Sequence, residues 1–214
     1  MSWYGLFRGI LIPLVHIVAR IKVEGEHHLP KTGPFILVAN HQSFLDPIIV
    51  QVICKRPLHT LAKSTQFGGK IMGWIMPRVN AIPTRRYRIE PQAVRVVLRR
   101  LASGEAVGIY PEGERSWDAE LQPFRLGTIR LLLKAGVPVI PCGVVGSYDV
   151  WPRWSKKIRR RTVLVEFGDP ICWPALHSRR KREERLEEAY STLKGALQEL
   201  SAWERLLPTE RIFP

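Results

Sequence analysis

Apolar positions along this chain fall into two periods. Phe35-Ile36-Leu37-Val38-Ala39, residues 106–110 and residues 137–145 are short, unbroken apolar runs, the pattern of strands buried on both faces. Residues 162–167 alternate, and residues 21–24, 58–63 and 81–84 are shorter extended candidates. Pro141 lies inside the longest run and predicts an interruption there. Between these runs the period becomes helical, at residues 47–54, 67–76, 90–102, 127–135 and 179–203. In the 90–102 segment Ala93, Val94, Val97, Leu98 and Leu101 share one side and arginines hold the other. Strands that alternate with helices predict a single α/β domain with a mixed, mostly parallel sheet flanked by helices. Ligands of open sheets bind beyond the carboxyl ends of the strands. His41, Glu112 and the Gly146-Ser147 pair each follow a predicted strand at that edge.

The first 20 residues read differently. Residues 3–20 predict a helix bent at Pro13, uncharged between Arg8 and Arg20. That run is too short to span a bilayer, which needs about 20 apolar residues. Trp3, Tyr4 and Phe7 ahead of it, with Arg20 and Lys22 behind, predict an interfacial helix; a plain core helix is the alternative. The expected organisation is this helix over 1–20 and one domain over 21–214. Within the domain, the chemistry-bearing blocks lie in 35–147, a basic loop at 151–161, and a charged terminal helix at 179–203.

Composition adds a partner class. Hydrophobic residues make up 45% and charged residues 24%, which excludes a disordered chain. Thirty-three Lys and Arg against 19 Asp and Glu leave a net charge of +14. That excess favours nucleic acid, an anionic membrane surface or phosphorylated substrates. Arg153, Lys156, Lys157, Arg159, Arg160 and Arg161 cluster beside Trp151 and Trp154, as a bilayer-facing loop would, or as a solvated basic loop. Cys54, Cys142 and Cys172 are scattered and form no zinc-type pair; reduced thiols are expected.

The candidate chemistry centres on Asn40-His41-Gln42-Ser43-Phe44-Leu45-Asp46-Pro47. An imidazole and a carboxylate at a strand end can take a proton from a substrate hydroxyl, with the carboxylate orienting the base and stabilising its cation. Residues five apart on one helix point about 140° apart, so the pair requires a turn. Pro47 supplies one, because proline favours the first helical position with an Asp cap before it. Asp46 then stands at a helix mouth with His41 in the turn ahead. A capping aspartate beside an unrelated loop histidine is the other reading. Pro111-Glu112-Gly113-Glu114-Arg115-Ser116 follows a strand directly. Gly113 permits a tight turn or close ligand approach, Arg115 offers a fork of donors suited to phosphate, and Glu112 suits a hydroxyl or Arg115. Taken alone, the block favours a polar turn with a surface ion pair. Ala81-Ile82-Pro83-Thr84-Arg85-Arg86 ends on two arginines, as a phosphate site or a solvated turn.

Taken in order, these elements resemble the lysophospholipid acyltransferases, and among them the bacterial 1-acylglycerol-3-phosphate acyltransferases. Asn40-His41 through Asp46 is similar to the family's NHxxxxD block. Ala81–Arg86 is similar to its second block, with the closing arginine at Arg86, and Pro111–Ser116 to its PEGTRS block. Gly136-Val137-Pro138-Val139-Ile140-Pro141 is similar to its apolar fourth block. Glu114 departs from the family's usual threonine, and Arg85 stands where an acidic residue is common.

The resemblance implies His41 as general base on the free hydroxyl of lysophosphatidic acid, with Asp46 as its orienter. It implies Arg86 and Arg115 on the acceptor phosphate, Glu112 and Gly113 shaping that pocket, and backbone amides near Pro47 as possible oxyanion donors. The acyl donor would be a thioester of coenzyme A or acyl carrier protein, with no metal and no redox cofactor. The protein would sit on the cytoplasmic face of the cell membrane as a peripheral or monotopic enzyme. Another lysophospholipid or a lyso-aminolipid is the alternative acceptor. A non-catalytic nucleic-acid-binding protein is the alternative of another class, opposed by the lack of a nucleic-acid motif.

Overall fold

The computed structural model describes residues 3–85, 90–173 and 182–202. The elements are α1 (Trp3–Val18), β1 (Ala19–Glu24), β2 (Phe35–Ala39), α2 (Asp46–Ile53), β3 (Leu58–Lys63), α3 (Lys70–Arg78), β4 (Ala81–Thr84) and α4 (Pro91–Ala102). They continue with β5 (Ala106–Ile109), α5 (Leu126–Ala135), β6 (Val139–Val145), α6 (Ser147–Val150), β7 (Arg161–Phe167) and α7 (Arg182–Leu200).

One seven-stranded sheet has the order β1-β7-β6-β2-β5-β3-β4. β4, β3, β5, β2 and β6 run parallel; β7 is antiparallel to β6, and β1 is parallel to β7. The expected mixed, mostly parallel α/β sheet is therefore present. β2 is central, and each of its five residues is buried, because helices cover both faces. Phe35, Leu37 and Ala39 pack with Ile49, Val50 and Val52 of α2 on one side. Ile36 and Val38 pack with Val97 of α4, Ile129 and Leu132 of α5, and Leu193 and Leu197 of α7 on the other.

Several boundaries differ from expectation. The chain leaves α1 after Val18 and enters β1 at Ala19, so Arg20 belongs to a strand. Pro77 lies inside α3, and the four-residue helix α6 was not anticipated. Pro141 does not interrupt β6: it pairs with Val38 in register, and its carbonyl accepts the amide of Gly168 at 2.9 Å. Of the expected terminal helix, residues 179–181 and 203 lie outside the described residues.

Register aligns the site. Val38 pairs with Ile109 and Ala39 with Cys142, so the segments beginning at Asn40, Tyr110 and Gly146 emerge along one sheet edge.

Candidate active site

The turn leaving β2 is built around one carboxylate oxygen. Oδ2 of Asp46 lies 2.9 Å from Nδ1 of His41 and accepts the backbone amides of Gln42 and Ser43, each at 2.7 Å. Asp46 is the first residue of α2, and its carboxylate folds back on the preceding turn without capping the helix's own amides. The expected capping role is thus replaced by one that shapes the 41–43 turn. Asp46 is fully buried, while the His41 side chain is 15% exposed. A carboxylate only accepts, so opposite one Nδ1 is the donor and Nε2 is the nitrogen left without the proton. The spacing is that of a hydrogen-bonded, oriented imidazole.

The amides of Gln42 and Ser43 go to Asp46, and that of Leu45 lies 3.3 Å from the hydroxyl of Ser43. These amides near Pro47 are therefore engaged inside the protein. An oxyanion would need other donors.

Three further groups hold this turn. The Asn40 side chain donates to the carbonyl of Val144 at 2.9 Å and accepts its amide at 2.7 Å, extending the β2–β6 pairing past the end of β2. The hydroxyl of Ser43 donates to the carbonyl of Trp151 at 2.8 Å. The ring of Tyr110 lies 4.5 Å from that of His41, tilted by 35°, an offset arrangement that favours one imidazole plane. Desolvation of its hydroxyl and the nearby Asp46 charge raise the Tyr110 phenol well above its ordinary value, so it stays protonated.

Glu112 is the link to the second loop. One of its oxygens accepts the amide of His41 at 2.6 Å and the other that of Gln122 at 3.0 Å. Burial pushes its carboxyl up to about 8, against the pull of these two amides. Ser116 closes the bracket by donating its amide to the carbonyl of His41 at 2.7 Å. The carboxylate oxygens of Glu112 thus serve backbone amides. Gly113 has φ +76°, and a Cβ there would lie 2.1 Å from Nε of Arg125, so the glycine permits close approach of a side chain of this protein. Arg115 lies on the same loop. Arg86 lies outside the described residues. Its neighbour Arg85 points outward, 70% exposed and 3.9 Å from Glu90.

Asn40, Tyr110 and Trp151 were not singled out as scaffolding of the site by sequence reasoning. Asn40 stood inside the quoted motif, but its partner is 104 residues away. Trp151, expected on a bilayer-facing or solvated basic loop, packs against the core, with Nε1 donating to the carbonyl of Ser155 at 2.9 Å. Trp154 of the same loop is 65% exposed. Among the described residues no three His, Cys, Asp or Glu side chains converge as metal ligands.

Fold and site define an α/β protein with a carboxylate-oriented imidazole beyond the central strand of its sheet. Similarity to known proteins narrows that class. The family model described as "Acyltransferase" matches residues 20–145, and the chain belongs to that family. The chloroplast 1-acyl-sn-glycerol-3-phosphate acyltransferase of Arabidopsis thaliana is 32% identical over 156 residues, 71% of this chain and 44% of that one. The 1-acyl-sn-glycerol-3-phosphate acyltransferase of Bacillus subtilis is 26% identical over 153 residues, 71% of this chain and 73% of that one. The crystal structure of the 1-acyl-sn-glycerophosphate acyltransferase of Thermotoga maritima shares the fold, with a TM-score of 0.74 and 23% identity over 93% of this chain and 80% of that one. The match spans less than half the length of the chloroplast relatives from Brassica napus and Arabidopsis thaliana.

Proposed function

We propose that this protein transfers a fatty acyl group from an acyl thioester to the free hydroxyl of lysophosphatidic acid, forming phosphatidic acid. The observation that carries the reading is the His41–Asp46 pair at the sheet edge of a chain in the acyltransferase family. Nε2 of His41 takes the hydroxyl proton as the oxygen attacks the thioester carbonyl. The C–S bond then breaks, and the proton passes from the imidazolium to the departing thiolate. Asp46 holds the tautomer and stabilises the imidazolium. Arg115 and Arg86 bind the acceptor phosphate as charge-assisted donors. Glu112 and Gly113 shape the pocket indirectly, the first by clamping the His41 amide and the second by admitting Arg125. The donor is acyl-coenzyme A or acyl carrier protein, and this chemistry calls on no metal or redox cofactor.

The same reading places the protein on an anionic membrane surface, at the cytoplasmic face. Among the described residues no helix is long and apolar enough to cross a membrane. α1 is instead apolar on its outer face, with Trp3, Leu6, Ile10, Leu14 and Ile17 exposed. Its one Arg, Arg8, turns inward and donates to the carbonyl of Val52 at 2.8 Å. Trp154 and the exposed Lys156, Lys157, Arg159 and Arg160 lie on the loop that meets its end, where Arg160 donates to the carbonyl of His16 at 3.3 Å. Apolar face and basic rim together suit an interfacial helix.

The test is acyl transfer to lysophosphatidic acid by wild type and His41→Ala. The expected result is wild-type turnover and a loss on the order of 10² or more in the variant, with folding retained. Near-normal turnover by His41→Ala would sink the general-base role. Wild-type activity confined to phosphate-free acceptors would overturn the roles of Arg86 and Arg115.

A further inference from the structure

Glu114 occupies the position at which this chain departs from the family's third block, and its surroundings explain what the carboxylate does. It lies between two guanidinium groups, one from the far end of the same β5–α5 connection and one from the loop after α6. Nη1 of Arg153 is 3.2 Å from Oε2, and Nη2 of Arg125 is 4.0 Å from Oε1. Arg125 immediately precedes α5, and its side chain rests against Gly113. Arg153 belongs to the loop after α6. It also donates from Nη1 to the carbonyl of Arg115 at 2.9 Å, and its guanidinium lies 3.7 Å from the centroid of Trp117. The Arg153 side chain is 18% exposed and that of Glu114 31%. The contacts are therefore partly shielded from water, where charge-assisted bonds and cation–π stacking keep more of their strength.

One peptide unit joins these contacts to the candidate base. The carbonyl of Arg115 is held by Arg153, and the amide of the same peptide, that of Ser116, donates to the carbonyl of His41 at 2.7 Å. The Arg115–Ser116 peptide is thereby pinned at both ends, to the turn carrying His41 on one side and to the Arg153–Glu114 pair on the other.

We propose that Glu114, Arg125 and Arg153 form a brace that sets the position of Arg115 relative to His41, and so the affinity for the acceptor's phosphate. This rests on the acyl-transfer reading above and on Arg115 as a phosphate ligand within it. The three are positioning residues. Their effect reaches the acceptor through the backbone of Arg115, so their loss weakens acceptor binding more than it slows the bound complex. The small polar residue usual at position 114 lacks the charge to hold both arginines.

The experiment is steady-state kinetics of the full chain with acyl-coenzyme A and lysophosphatidic acid in mixed micelles. The variants are Glu114→Gln, Arg153→Gln, the double variant, and the conservative Glu114→Asp. KM for lysophosphatidic acid should rise about 2- to 5-fold in each Gln variant, as expected for partly exposed ion pairs, while kcat falls by less than KM rises. The double variant should be worse than either single but by less than the product of their fold-changes, because the Glu114–Arg153 contact is shared while the contacts of Arg153 with Arg115 and Trp117 and of Glu114 with Arg125 are lost separately, and Glu114→Asp should recover part of the loss. If Arg153→Gln does not fold, the Glu114→Gln and Glu114→Asp pair carries the same comparison. Unchanged KM in the Gln variants, additive losses in the double, or a fall in kcat at constant KM would overturn the brace. Wild type without transfer to lysophosphatidic acid would overturn the acyl-transfer reading itself, and the brace with it.

Discussion

Asp46→Asn separates the charge of the carboxylate from its geometry. Three donors converge on Oδ2: Nδ1 of His41 and the amides of Gln42 and Ser43. Oδ1 is buried with no hydrogen-bond partner among the described residues. In the variant the amide oxygen must take the Oδ2 place, because an NH2 group there would face three donors. The turn, the tautomer and the ring orientation are then kept and the negative charge beside the imidazolium is lost, while the NH2 group takes the buried Oδ1 place and costs about 1–3 kcal/mol of stability. A unit charge pair about 4 Å apart at an effective dielectric constant of about 20 interacts by about 4 kcal/mol. Loss of that stabilisation in the transition state corresponds to a factor on the order of 10³ in rate. Free-thiol release from acyl-coenzyme A with saturating lysophosphatidic acid should show kcat reduced on the order of 10²–10³ at a temperature where the variant is folded, with a thermal midpoint lowered less than in Asp46→Ala. Asp46→Ala is the contrast. It strips the acceptor from two buried amides, at about 1–3 kcal/mol each, and its thermal midpoint should fall as well. An Asn variant that keeps more than a tenth of wild-type kcat would refute the argument that the charge at Oδ2 acts on the imidazolium.

Three further outcomes follow from the same contacts. Because the Glu112 carboxyl is raised from 4.5 to about 8, the folded state holds its proton more tightly than the unfolded chain. Its contribution to stability is complete below about pH 4.5 and is lost as pH rises through about 8; denaturant midpoints across this range should slope down in wild type and flatten in Glu112→Gln. Asn40→Ala removes both bonds to Val144 and should cost about 2–4 kcal/mol in urea unfolding, where a cost below 1 kcal/mol would show that the end of β2 needs no such bridge. Leu14→Glu with Ile17→Glu puts charge on the exposed face of α1 and should cut co-sedimentation with anionic vesicles about tenfold or more, whereas unchanged binding would remove α1 from the membrane contact.

Local rules made much of this protein legible from its sequence. The unbroken run Phe35–Ala39 marked the central strand, because a strand covered on both faces must be apolar at every position. Pro47 after Asp46 marked a helix start with a turn ahead of it, which is enough to bring His41 and Asp46 together across five residues. The misreadings have equally local causes. Pro141 looked like a break, but a proline can stay in a strand when its missing N–H leaves no ladder bond unmet and its carbonyl still finds the Gly168 amide. Asp46 looked like a cap for the helix it begins, and its carboxylate turned back to the amides before it.

Tertiary structure alone decided which distant groups meet the pair. The placing of β2 between β5 and β6 puts Glu112 on the His41 amide, Tyr110 on its ring and Val144 beside Asn40. The loop after α6 brings Arg153 to Glu114 from 39 residues away. Hydrophobic period reports which side of an element is covered, but strand order is chosen by how the whole set of covered faces packs. Bonds that cross between strand ends depend on that order, and no stretch of sequence carries it by itself.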